Sequence, residues 1–167
     1  GMSSYARADA NANSGFMVEV FPKDFENPEN PLSGINFQRK WEQKAFEIGG
    51  PAGQAPAQLL GDFMNNSASS ELGEVIPSYR PGVVLTDLRE CLPKYVIKTM
   101  QGAVNRVSKQ IGGFDRKDAV LTATETRSSS PLRINRDRNF QCPKVEGLYP
   151  AGEGAGYAGG ILSAAVD

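Results

Sequence analysis

Six of the 18 glycines fall between Gly147 and Gly160. Within that stretch, Gly154-Ala155-Gly156-Tyr157-Ala158-Gly159 reads as G-x-G-x-x-G, just ahead of the helix-compatible run Ile161-Leu162-Ser163-Ala164-Ala165-Val166. Glycines let a backbone approach a ligand closely, and the start of a helix offers free N–H groups in a positive potential, so the chemistry of such a loop is the cradling of negative charge. The dinucleotide fingerprint also needs a complete βαβ unit with an acidic residue about 20 positions further on. Seven residues follow Gly160, so the motif here does not complete that unit.

Other reactive groups are few. The sequence holds no His, which excludes Ser/His and Cys/His nucleophile pairs and every His-ligated metal site. Carboxylates, Arg, Lys, Tyr, Cys, backbone dipoles or a bound cofactor remain. Arg127 and Ser128, with Ser129 and Ser130, directly follow a β-branched segment. They read either as an anion or substrate contact, since Arg offers a fixed fork of donors, or as a turn with a surface Arg. Glu125 either pairs with Arg127 or sits on an exposed face. Arg133, Arg136 and Arg138, with Asp137, read as a mixed-charge loop, solvated rather than phosphate-binding. Tyr157 either covers a ligand or packs beneath the following helix. Cys91 and Cys142 form no C-x-x-C and no disulfide framework, which suits ordinary thiols in a reducing cytosol, and the expected location is cytoplasmic.

These groups need positioning elements. Ser33 reads as an N-cap, and Ile35, Phe37, Trp41, Ala45, Phe46 and Ile48 recur at helical spacing up to Gly49-Gly50-Pro51. Trp41 and Phe37 are expected in the core. Pro93 opens a second helix with the stripe Val96, Ile97, Met100, Val104, Val107 and Ile111, closed by Gly112-Gly113. Lys94, Lys98, Arg106 and Lys109 lie off that stripe as a solvated face. Strands are expected at Phe16–Phe21, Ala57–Phe63 and Val120–Thr126, with short extended pieces at Leu132–Ile134 and Gly147–Ala151. Residues 3–15 and 64–82 read as loop. Helices and strands without regular βαβ alternation indicate an α+β fold.

Size and charge set the outer limits. The chain has 167 residues, 40% of them apolar, enough for a core. With 18 Lys+Arg against 19 Asp+Glu the net charge is −1, which gives no electrostatic footprint for nucleic acid or an anionic membrane. No apolar run approaches the roughly 20 residues of a membrane span. Gly1 to Ser4 lack the basic and apolar regions of a signal peptide. The last helical run has barely begun at Asp167, so the sequence reads as a piece of a longer protein.

The stretch Gly147-Leu148-Tyr149-Pro150-Ala151-Gly152-Glu153-Gly154-Ala155-Gly156-Tyr157-Ala158-Gly159-Gly160-Ile161 resembles the C-terminal flavin-binding motif of bacterial FAD-utilising dehydrogenases. Gly113–Arg116, Val120–Thr122, Glu125–Pro131 and Phe37–Phe46 resemble the same family, so the similarity spans nearly the whole sequence. It implies a two-part flavoprotein in which an inserted domain interrupts a Rossmann-type FAD domain. On that basis residues 1–140 correspond to the inserted, substrate-type domain and 141–167 to the closing strand, glycine loop and helix of the FAD domain. The resemblance implies that Glu153 accepts a hydrogen bond from the ribityl chain. It also implies that Gly152, Gly154, Ala155, Gly156, Tyr157, Gly159, Gly160 and Ile161 line the cofactor, with backbone N–H groups near Gly159, Gly160 and Ile161 at the flavin edge. The early strand–glycine–helix unit that holds the rest of FAD in such proteins is not found between Gly1 and Phe21. The expected function is therefore that of a fragment of an FAD-dependent oxidoreductase, inactive and without FAD on its own, whose partner is the remainder of the FAD domain. The other reading is a free-standing binding or interaction module built on loop 152–160.

Overall fold

The computed structural model describes residues 5–167. The readings made on residues 1–4 lie outside the described residues. The fold is α+β: four α-helices, two short 3-10 turns and one three-stranded sheet among the described residues. In chain order the elements are α1 (Ser33–Gly49), β1 (Ala55–Leu59), α2 (Leu60–Asn65), β2 (Val83–Leu85), α3 (Lys94–Val107), β3 (Val120–Thr122) and α4 (Ile161–Val166). They form two compact units. One holds the chain up to Val20 and Trp41–Thr124, the other Phe21–Lys40 and Glu125–Asp167.

The first unit is built around β1. β2 pairs with it in parallel, Ala57 opposite Leu85, and β3 in antiparallel, Ala57 opposite Thr122. Leu60, Phe63, Leu88, Cys91, Ile97, Met100 and Val104 make the core, joined by Ala45 from the second half of α1. Ile97, Met100 and Val104 come from the stripe of α3, while Lys94, Lys98, Arg106 and Lys109 are exposed. Gln101 of α3 donates from Nε2 to the Phe63 carbonyl at 2.7 Å, and Asn66, left-handed at φ 56°, closes α2 beside it. A buried side-chain amide ties the sheet to its surroundings. Gln58 donates to the Ser67 carbonyl (2.6 Å) and accepts the Leu88 N–H (2.9 Å).

Several expected elements take a different form, each for a physical reason. The expected strand Ala57–Phe63 is β1 followed by α2. The Leu60 and Gly61 N–H groups donate to the carbonyls of Ala119 and Lys117, and Leu60 and Phe63 bury together at helical spacing. Val120–Thr126 forms a ladder only to Thr122. Ala123 still donates to the Pro56 carbonyl, but Pro56 has no N–H to return. Phe16–Phe21 pairs with no strand. Its alternation is satisfied by side-chain packing, with Phe16 edge-on to Phe114 at 6.1 Å and Met17 turned outward. Leu132–Ile134 and Gly147–Ala151 are also not strands. α3 stops at Val107, where its carbonyl accepts from both Gln110 and Ile111, so Ile111 falls outside the stripe and is exposed. Phe46 is likewise exposed, and Phe37 and Trp41 are half-buried.

The second unit has little regular structure beyond the first half of α1 and α4. Phe25 packs on Phe37 at 5.7 Å, and Gln38 donates to the Thr126 carbonyl at 2.9 Å. A Cβ on Gly34 would lie 2.6 Å from Pro131 Cβ, so glycine there permits close approach of helix and loop. Ser33 does not act as the expected N-cap: its hydroxyl donates to the Asn27 carbonyl at 2.5 Å.

Candidate functional site

The glycine loop lies wholly in the second unit, held by two turns. Gly152 adopts φ 68° and Gly156 φ 84°, conformations that favour glycine. The Gly156 N–H donates to the Glu153 carbonyl at 2.9 Å, and the Tyr157 N–H to the Gly152 carbonyl at 3.1 Å. One side of the loop is fastened to residues 130–134. Ser130 Oγ donates to the Gly154 carbonyl (3.2 Å), Ile134 N–H to the Ala155 carbonyl (3.1 Å) and Arg133 Nε to the Gly156 carbonyl (3.0 Å).

The other side is open. Ser129, Ser130, Gly156, Tyr157, Ala158 and Gly159 line a cleft of about 260 Å³. Glu153, Gly154, Gly159 and Gly160 are exposed, as is Ile161 at the start of α4. The Gly160 N–H donates to Ser163 Oγ at 3.1 Å. Arg127 and Ser128 are exposed and directly precede the cleft-lining serines in the chain. Tyr157 turns its phenol towards the 134–136 segment: its hydroxyl donates to the Ile134 carbonyl (3.1 Å) and accepts the Arg136 N–H (3.2 Å).

Arg136 corrects the expectation of a solvated arginine loop. Its side chain is only 11% exposed. Its guanidinium binds both carboxylate oxygens of Asp167, donates to the Pro150 carbonyl at 2.9 Å and stacks 3.8 Å from the centre of the Tyr157 ring. The Gly152 N–H reaches the same carboxylate at 2.9 Å. Neither Arg136 nor Asp167 carries a local signal, because the pair is 31 residues apart and set in ordinary polar sequence.

The Arg136 guanidinium, followed by the Gly152 N–H, holds the Asp167 carboxyl down at about 2, below its ordinary 3.8. A carboxylate whose folded value lies below its unfolded one contributes stability fully above the unfolded value, and loses it as pH falls through the folded value. The expected result is that the Gly152 amide resonance titrates with a midpoint near pH 2 and that Asp167→Asn abolishes this step. A midpoint near 3.8 contradicts the pairing.

Cys91 offers no nucleophile at neutral pH. Cys91 is fully buried, and burial, the largest effect, pushes its thiol up to about 11. Among the described residues no group of three or more Cys, Asp or Glu side chains is placed to hold a metal ion, and no helix is long and apolar enough to cross a membrane.

Residues 1–128 match the family described as FAD-dependent protein, C-terminal domain-like, and the chain belongs to that family. It is 51% identical over 167 residues to an uncharacterised protein of Clostridium beijerinckii, covering 100% of this chain and 31% of that protein. The chain thus spans about a third of the length of the curated relative it matches.

Proposed function

We propose that the chain is part of an FAD-dependent oxidoreductase, in which it supplies one edge of the flavin site and the neighbouring substrate side. The supporting observation is the division of the glycine loop into a fastened side and an open side. Gly159 lines the open side, and Glu153, earlier in the same loop, is exposed. A Cβ at Gly159 would meet only Ser129 Oγ, at 3.8 Å. Those groups suit the hydroxyl-bearing chain and the electron-accepting ring edge of a flavin, whereas the described residues include no second glycine unit for its pyrophosphate. Membership of the family and the greater length of the relative favour the same reading.

Bound FAD would supply two-electron redox chemistry. The chain's own residues would bind and orient it. Glu153 would accept from a ribityl hydroxyl, and the backbone N–H groups of Gly159 and Ile161 would face charge that develops on reduction. The Gly160 N–H is already committed to Ser163 and would instead brace the turn. Gly152, Gly154, Ala155 and Gly156 shape the loop, and Tyr157 anchors it from behind. Arg127 and Ser128 stand as candidate contacts to substrate or flavin. In this reading residues 141–167 close the FAD-binding domain and residues 1–140 form the substrate-type domain.

The test is Glu153→Ala in the full-length protein, read as flavin per protein and flavin dissociation constant. Removing a charge-assisted acceptor should weaken binding by about 1.5–3 kcal/mol, roughly ten- to a hundredfold. Unchanged occupancy and affinity would remove Glu153 from the cofactor site.

A further inference from the structure

We propose that Arg136 is a positioning residue for the glycine loop: one guanidinium, its side chain 11% exposed, fixes the loop's first turn, its midpoint and the far end of α4 at once, and so sets the open face that meets the ligand. The inference rests on the flavin reading for its ligand but on independent contacts for its geometry.

Three kinds of contact converge on this side chain. The Pro150 carbonyl, just before the loop, accepts from Nη1. The guanidinium carbon lies 3.8 Å from the ring centre of Tyr157, at the loop's midpoint, with Arg133 4.8 Å from the same ring centre. Asp167, one residue past α4, takes both Nη1 and Nη2 and also receives the Gly152 N–H. Gly152 is the left-handed residue on which the first turn depends, and a Cβ there would sit 3.3 Å from the Ala164 carbonyl of α4. The loop and α4 are therefore joined through one carboxylate whose orientation the arginine sets.

The fork geometry is what the arrangement uses. A planar guanidinium binds a carboxylate bidentately and lies on an aromatic face at the same time, whereas a lysine ammonium keeps the charge but loses the fork and can make only one of these contacts well. Phe140, 4.9 Å from the guanidinium, adds a second ring contact. None of these groups lines the cleft except Tyr157, so Arg136 acts on the site through the loop rather than by touching a ligand.

The experiment has two arms. In the 167-residue chain, amide hydrogen exchange is measured at Gly152 and Tyr157, with Ala57 of β1 as the internal reference. Arg136→Lys should speed exchange at Gly152 at least roughly tenfold and leave Ala57 unchanged. Equal exchange at Gly152 overturns the clamp. If Arg136→Lys does not fold, Asp167→Asn replaces it. That variant retains an oxygen acceptor for Gly152 and loses the charged pair, and the same acceleration, at least roughly threefold, is expected, its absence again overturning the clamp. In the full-length protein loaded with flavin, the variant should shift the visible flavin band and the reduction potential at saturating flavin. Faster exchange with an unchanged band and potential would show a loop fastener without influence on the cofactor, which overturns the positioning role. A wild-type full-length protein that takes up no flavin would sink the flavin reading and leave the exchange arm to decide the clamp.

Discussion

Gly156→Ala should unfasten the glycine loop, at a cost of about 3 kcal/mol or more, while Gly154→Ala should change stability by less than about 0.5 kcal/mol. Both glycines belong to the same G-x-G-x-x-G match, but their roles differ. At Gly156 the backbone sits at φ 84°, and a Cβ would come within 2.4 Å of the Leu132 carbonyl oxygen and 3.0 Å of Arg133 Cα. Both neighbours are backbone, so neither can turn aside. At Gly154 φ is not left-handed and no atom lies within 4 Å of the added methyl. Exchange protection of the Ile134 amide, which donates to Ala155, reports the local state of the loop in each variant. Equal protection in the two variants would show that Gly156 is not there to let the loop lie against residues 132–133.

The second large effect is expected in the first unit. Gln58→Leu keeps the approximate volume of a side chain only 1% exposed, but strands the Leu88 N–H and the Ser67 carbonyl. The Leu88 N–H is buried and, left without its partner, costs about 1–3 kcal/mol, whereas Ser67 is exposed and water can take up its carbonyl, so stability should fall by about 1–3 kcal/mol. Gln58→Glu separates the two contacts, because a carboxylate still accepts from Leu88 but cannot donate to Ser67. It should be at least as damaging at neutral pH, since it also buries a charge. Urea unfolding followed by Trp41, in the same unit, measures both. A Gln58→Leu protein within about 0.5 kcal/mol of the parent would mean that the Gln58 bonds add nothing to stability.

What could be read from the sequence follows the range of the interactions concerned. α1 and α3 were legible, because their apolar spacing is local; α3 starts at Lys94 after Pro93, as its proline indicates, but ends at Val107, short of Gly112-Gly113. α4, also six residues long, was legible from its place directly after the glycine cluster and its helix-compatible residues, not from a period. The sheet was legible only in part. β2 is three residues long and owes its existence to β1, and the end of β3 depends on Pro56, far earlier in the chain. Leu60–Asn65 was misread because a helix of six residues has too few positions to show a period. In the candidate site, the glycine loop and Glu153 announced themselves by composition and resemblance. Arg136 did not, because its role depends on a carboxylate 31 residues away and a ring 21 residues away.

Neither compact unit is continuous along the chain, and this shapes how the protein is made. On the ribosome, Phe21–Lys40 emerges well before the residues that complete its unit, which begin only at Glu125. The first unit, by contrast, has all its pieces once Thr124 is out. At about 5–20 residues per second the segment from Glu125 to Asp167 takes several seconds to follow, long compared with the microseconds of local collapse. Through that interval the first half of α1 waits without Thr126 and Pro131, the groups that Gln38 and Gly34 meet in the finished fold. A nascent chain stalled between Glu125 and Asp167 would carry one finished core and one half-built unit, the form on which a chaperone or a protease would act.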